Sequence, residues 1–443
     1  MGSGPSYYSQ GLRARFNIDA YRVQQAKAEV NKPYADISYV VDEKKYRDRA
    51  AARVMAGGLP TSVPAGWPTK LEGPLVWTVD DFEKEDEYVY HLTPEDKMEV
   101  LEALAIFKCK CNSQVPTVTL HGLTDINPAY GLDSHKVTKD LFPLPNLGPV
   151  MSGIRDDIYF GKGFSIIRGL NPDDYAITDL TTIYLGITSY IGQQRGKQDQ
   201  RGSMLIHVIK RGDETGFDDQ YGEDKPFHTD CVTDTLCLFT QGLAASGGQS
   251  CIASAYTIYN ELARTRPDLI HTLAAPDWPF DTLGRDPAYY KRALMYWHDG
   301  RLITSFSRRL LVGSEPFSPR TPGIPGLTEA QAEALDAVHF IAKQHEIKPR
   351  MVRGDLRFIN NMALLHRREA FENDKTSGEG RHLVRMWLHN DEGACWSLPA
   401  PLRVAWARVF EDEGNKERGE HWDLKPVRDP VTGHILRVGG SCD

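Results

Sequence analysis

Seven short runs of β-forming residues constrain this chain most: Phe164–Leu170, Leu205–Lys210, Thr235–Gly242, Gln249–Tyr256, Arg301–Phe306, Asp355–Leu365 and Arg381–His389. Turn signals such as Gly247-Gly248 and Arg353-Gly354-Asp355 separate several of them. The intervening segments do not repeat as regular βαβ units, which disfavours a doubly wound parallel sheet. Helix signals are few. A capping Thr, a first-turn Pro and early acids at Thr93-Pro94-Glu95-Asp96 start one helix that runs through Leu101, Leu104 and Phe107. Thr328-Glu329-Ala330-Gln331 is a capping box for a second, whose Ala334, Leu335, Val338 and Ile341 share one face. With 38 Gly and 27 Pro in 443 residues, turns are favoured over long helical rods. The pattern predicts a mainly β fold with flanking helices, a jelly-roll or barrel.

Charge and apolar content narrow the function classes. The chain has 52 basic and 60 acidic residues, a net charge of −8, and lacks the basic footprint of a nucleic-acid binder. No stretch reaches the roughly 18–20 apolar residues of a membrane span. The first residues lack the basic start and apolar core of a signal peptide, so a cytoplasmic protein with no membrane partner is expected. Seven cysteines, an odd number without a Cys-x-x-Cys pair, fit neither a disulfide framework nor a zinc site. Residues 1–65 read as an N-terminal extension with a helix around 20–55, residues 66–400 as the folded domain and residues 401–443 as a C-terminal tail. The choice between monomer and homo-oligomer stays open.

The chemistry is concentrated in histidines and acids. A redox-active iron that must hold a cosubstrate and oxygen together needs few protein ligands, and two His with one carboxylate leave positions open. On a strand, residues i and i+2 face the same way, so His-x-Asp delivers two ligands to one point. The motif occurs as His228-Thr229-Asp230, His389-Asn390-Asp391 and His421-Trp422-Asp423. About two chance matches to His-x-Asp/Glu are expected at this composition, so position must decide. Only the first leaves a long strand-rich stretch downstream for a third ligand. His366 ends an apolar run there and is the candidate. Further on, Arg381, Leu383, Arg385 and Trp387 share one strand face, and two arginines on an apolar strand are costly to bury unless they meet anions.

These residues carry a resemblance. The chain is similar to the TauD/TfdA family, the taurine-dioxygenase-like Fe(II)/2-oxoglutarate oxygenases, and especially its long fungal-type members. The likeness spans roughly residues 70–395, from Gly73-Pro74-Leu75-Val76-Trp77 through Phe142-Pro143-Leu144-Pro145, Gly161–Phe164, Arg168-Gly169 and Tyr190-Ile191-Gly192. It continues through Pro226–Asp230, Gly247–Ser250, Asn360–His366 and the final Arg-x-x-x-Arg.

The resemblance implies a double-stranded β-helix of the clavaminate synthase-like kind, iron ligation by His228, Asp230 and His366, and a clasp of Arg381 on the distal carboxylate of 2-oxoglutarate. It places Ser250 where relatives often have a Thr, although Gln249 departs from the usual preceding acid. Arg385 corresponds to an arginine that binds a substrate anion in several relatives. The implied activity is that of a dioxygenase using Fe(II), 2-oxoglutarate and O2. It would hydroxylate, desaturate or cyclise a small carboxylate-bearing metabolite, of secondary metabolism among other sources, and release succinate and CO2. The retained Asp230 disfavours halogenation. The rival readings are a non-catalytic binding or sensing protein on the same scaffold and a zinc hydrolase using the same three ligands.

Overall fold

Both helices announced by capping residues form. Thr93 Oγ1 accepts from Asp96 N and the Asp96 carboxylate accepts from Thr93 N at the head of helix Pro94–Asn112. Thr328 and Gln331 exchange the same pair of bonds at the head of helix Glu329–His345. A computed structural model describes residues 34–112, 137–199, 202–209, 223–230, 233–314, 318–374, 380–411, 420–423 and 425–426. In the expected N-terminal extension, a helix covers Glu43–Ala56, and the part of the expected helix before residue 34 lies outside the described residues.

The strands in chain order are β1 Val89–His91, β2 Phe164–Arg168, β3 Gln194–Arg195, β4 Ile206–Ile209, β5 Thr235–Gly242, β6 Ser246–Gly247, β7 Ser250–Ser254 and β8 Trp278–Asp281. They continue as β9 Tyr289–Arg292, β10 Met295–His298, β11 Arg301–Thr304, β12 Leu356–Asn360, β13 Leu364–Arg368, β14 Phe371–Glu372 and β15 His382–His389. Seven of them form one sheet in the order β1-β2-β12-β5-β15-β3, with β4 also on β15. Only β1 and β2 run parallel. The remaining strands pair as β7–β13, β6–β14, β8–β9 and β10–β11.

The expectation of a mainly β, closed double-stranded β-helix is therefore corrected. The architecture is mixed α/β with an open sheet: its end strands β1 and β3 do not meet, and four two-stranded ladders stand apart from it. Part of the helical content comes from Ile177–Thr188, for which the sequence carries no helix signal: it is rich in Ile and Thr, residues with β preference, yet nine of its twelve residues are buried, and tertiary packing overrides propensity. Asp355–Leu365, expected as one strand, is broken by a turn in which Asn360 Oδ1 accepts from Met362 N and Ala363 N. That turn carries the chain out of the sheet and into β13.

Helices Leu147–Phe160 and Ile177–Thr188 cover one face of the sheet. The first packs on β2 and β12, and Tyr184 of the second stacks on Phe239 and donates to the Cys237 and Val384 carbonyls. The opposite face carries Arg385 and Trp387. Helix Glu329–His345 backs β7 and is flanked by helices Ala255–Thr265, Pro267–Ala274 and Glu43–Ala56. Arg49 and Arg53 tie the last of these to Asp336 and Glu333. Among the described residues no helix is long and apolar enough to cross a membrane.

Two half-buried histidines make the fold acid-sensitive. Burial pulls His382, hydrogen-bonded to His207, down to about 3, and does the same to His339, whose Nδ1 accepts from Phe227 N. A histidine depressed in the folded state is neutral there while the unfolded chain protonates near pH 6.5. Its stabilisation is complete above pH 6.5 and is lost progressively as pH falls toward 3. The unfolding midpoint in urea should drop steadily over this window, and His382→Phe should flatten the slope.

Candidate metal centre

His228 and His366 are locked together by the backbone. Each donates its N–H to the other's carbonyl, at 3.1 and 2.9 Å, and this antiparallel pair brings the two rings to a centroid separation of 4.4 Å. His228 Nδ1 lies 2.9 Å from the Pro226 carbonyl, an acceptor only, so Nδ1 carries the hydrogen and Nε2 keeps its lone pair. Thr229 turns the other way, its hydroxyl bonding the Phe306 backbone, and Asp230 returns to the ring side as alternation requires. Asp230 is fully buried, and its Oδ1 lies 3.9 Å from His366 Nε2.

The donor set fits a divalent transition metal. Two imidazoles and a carboxylate offer ligand atoms that all lie within 4.8 Å of one another. An ion about 2.1 Å from each donor keeps them within about 4.2 Å, and the His366–Asp230 separation meets that limit. The other two His-x-Asp motifs do not join. His389 pairs with Asp234, and His421 forms a backbone bridge with Ser203. A second acid cluster, Cys251 with Glu346 and Glu369, is filled by cations: Arg367 forks Glu346 and Lys348 holds Glu369. Burial pushes the Cys251 thiol up to about 12, so it stays protonated at neutral pH.

The Asp230 carboxylate is held by Trp387, to which the sequence reading assigned no role, and by Arg385, which the resemblance assigns to a substrate anion. Trp387 Nε1 donates to its Oδ2 at 2.5 Å, and Arg385 Nη1 stands 3.1 Å from the same oxygen. Arg385 is itself positioned by Gln198, whose Oε1 accepts from Arg385 Nε at 2.8 Å. The Asn361 side chain clasps the Asp230 main chain, accepting from its N–H at 2.7 Å and donating to its carbonyl. Strand alternation already put Trp387 on the arginine face. Gln198 and Asn361 left no such signal, because their contacts span 187 and 131 positions. Trp387→Phe keeps an aromatic ring, a smaller one, and deletes the indole N–H. Loss of such an outer partner costs about 10–100-fold in metal affinity, which anaerobic Fe(II) titration should register with the fold unchanged.

Arg381 sits at the neighbouring turn. Its Nε donates to the Gly248 carbonyl at 2.9 Å and its Nη2 to Ser250 Oγ at 3.4 Å. Gly248 has φ +74°, and a Cβ there would meet Arg381 Cδ at 2.9 Å. The Gly-Gly turn is thus the seat of the guanidinium as well as the link between β6 and β7.

Comparison with known proteins assigns the chain. Residues 130–387 match the family model described as Taurine catabolism dioxygenase TauD, TfdA family. The chain is 31% identical over 368 residues to the Taurine hydroxylase-like protein SAT17 of Stachybotrys chartarum, covering 81% of this chain and 89% of that protein. It is 26% identical over 340 residues to FR-33289 synthase of Streptomyces rubellomurinus, covering 73% of this chain and 91% of that protein. Among solved structures, an asparagine oxygenase with Fe(II), 3-hydroxyasparagine and succinate aligns at a TM-score of 0.48 and 16% identity, over 68% of this chain and 93% of that one. The chain belongs to the taurine catabolism dioxygenase TauD, TfdA family and is an Fe(II)- and 2-oxoglutarate-dependent oxygenase.

Proposed function

We propose that the chain oxidises a small metabolite bearing a carboxylate or sulfonate, by hydroxylation, desaturation or ring closure, with His228, Asp230 and His366 as the iron ligands. The observation that carries the reading is a pair of buried arginines, Arg381 just before β15 and Arg385 within it, at 3% and 2% exposure. Each is a cation withdrawn from water, and an anion recovers much of that cost.

In this reading Arg381 and the Ser250 hydroxyl grip the distal carboxylate of 2-oxoglutarate, and the fixed fork of the guanidinium sets how far the cosubstrate reaches toward the ligands. Bound Fe(II) with 2-oxoglutarate and O2 supplies the oxidising chemistry, in which the 2-oxo acid is cleaved to succinate and CO2 while a substrate C–H is oxidised. Asp230, His228 and His366 would hold the ion with three protein donors, few enough to leave positions for these ligands. Trp387 and Arg385 keep the carboxylate oriented for ligation. Arg385 also offers the substrate a cation beside the metal, shared with Asp230. Taurine, named in the description of the fungal relative, is an aminosulfonate, and its anionic end suits such a cation.

The test is succinate release by the Fe(II)-loaded protein in the presence of a panel of small amino, carboxylic and sulfonic acids. Accelerated release with anionic members, lost in Arg385→Leu while 2-oxoglutarate binding persists, supports the reading. Stimulation only by uncharged compounds would refute it.

A further inference from the structure

The second His-x-Asp of the sequence leads to a different place in the molecule. His389 closes β15, and its Nδ1 lies 2.5 Å from Asp234 Oδ2. Asp234, 1% exposed, also accepts from Trp406 Nε1 at 3.2 Å. A carboxylate on Nδ1 fixes the ring hydrogen there and leaves Nε2 as an acceptor, and Nε2 takes no partner among the described residues. His389 and Asp234 form the polar part of a cavity of about 500 Å³ beside helix Ala400–Phe410. That volume lies in the range of small-molecule sites.

The walls are flat and pre-set. Trp396 is fixed by a bond from its Nε1 to the Tyr159 carbonyl and by Arg301 lying 4.6 Å over its ring. Trp406 is fixed by Asp234, meets His389 edge-on at 4.5 Å and leans on Phe410 at 4.9 Å. Leu398, Val404 and Ala407 add apolar surface. Asp234 has its donors in His389 and Trp406, and Arg403 and Glu411 bring one charge of each sign to the lining. Nothing there selects an anion or a cation, so the recognition elements that remain are two indole faces and one imidazole acceptor. None of the lining residues belongs to the metal or cosubstrate set.

We propose that this cavity is a second ligand site for a neutral, flat hydroxylated molecule of the phenol class, its ring against the apolar wall that Trp396 and Trp406 help to form and its O–H donated to His389 Nε2.

Calorimetric titration of the full chain, loaded anaerobically with Fe(II) and 2-oxoglutarate, tests it with two probes, 2-naphthol and 2-methylnaphthalene. Saturable 1:1 binding of 2-naphthol is expected, with the methyl analogue about tenfold weaker for want of one hydrogen bond. Ala407→Trp fills the cavity from the helix and should remove 2-naphthol binding while 2-oxoglutarate still binds. His389→Phe should bring the two probes to equal affinity. If that variant unfolds through the loss of Asp234's partner, the probe pair and Ala407→Trp still decide. No saturable binding, equal affinity of the two probes for the wild-type protein, or binding that survives Ala407→Trp overturns the proposal.

Discussion

His366→Ala should abolish iron-dependent consumption of 2-oxoglutarate and weaken Fe(II) binding by more than the roughly 10–100-fold that follows loss of an outer partner. The imidazole is one of three donors, and two donors no longer enclose the ion. The fold survives, because what joins residue 366 to residue 228 is a pair of main-chain hydrogen bonds that alanine keeps. The side chain is also 12% exposed toward the site, so truncation opens little sealed volume. Anaerobic titration, followed by the weak visible charge-transfer band of the Fe(II)/2-oxoglutarate complex, reads the first effect, and urea unfolding reads the second. Normal turnover in the variant would sink the ligand assignment. Asp230→Ala should be worse on both counts, since it also takes a buried anion from beside Arg385 and Trp387.

Asp355→Ala should cost about 3–5 kcal/mol of folding stability, the usual loss when one member of a buried ion pair is removed. Asp355 is fully buried and accepts from Arg168 Nε and Nη2 at 2.8 and 3.0 Å and from Val352 N at 3.0 Å. Arg357, 2% exposed, lies 3.5 Å away, and burial already pulls its pKa down. Arg168, by contrast, is held above the ordinary arginine value by its bond to Asp355. Alanine at 355 leaves two guanidinium groups in the core with one carboxylate fewer. Equilibrium urea unfolding should show the midpoint fall with the slope kept. The exposed helix pair Arg47–Glu43 is the control, and deleting it should leave the midpoint unmoved. A midpoint near wild type for Asp355→Ala would mean that the arginines relax into water instead.

What was legible in the sequence follows from the range of the interactions. His228 with Asp230, and the Gly-Gly turn before Ser250, are short motifs on extended backbone, and alternation alone says which side chains share a face. That His366 meets them in space depends on one backbone pairing; the apolar run ending there makes it a candidate, and the family resemblance singles it out. The clamp on Asp230 was not legible. Trp387, Gln198 and Asn361 reach it from three other segments, and strand register cannot be read from a single chain. The architecture failed for a related reason. No capping side chain marks the Ile- and Thr-rich stretch Ile177–Thr188, and burial against the sheet makes it a helix. A single Asx-type turn at Asn360 decides that β12 and β13 part company.

An open sheet carries a liability that a closed barrel lacks, because its outermost peptide groups can template another chain. Here that liability is small. Among the described residues the path ends on β1, with three residues, at one side, and on β3 and β4, with two and four, at the other. Ladders this short offer an incoming strand too few bonds to offset the entropy of ordering it. The native protein should therefore tolerate high concentration without edge-to-edge growth, and its shelf life should be governed by how often the acid-sensitive, ion-paired core opens. For handling, buffer pH matters more than dilution.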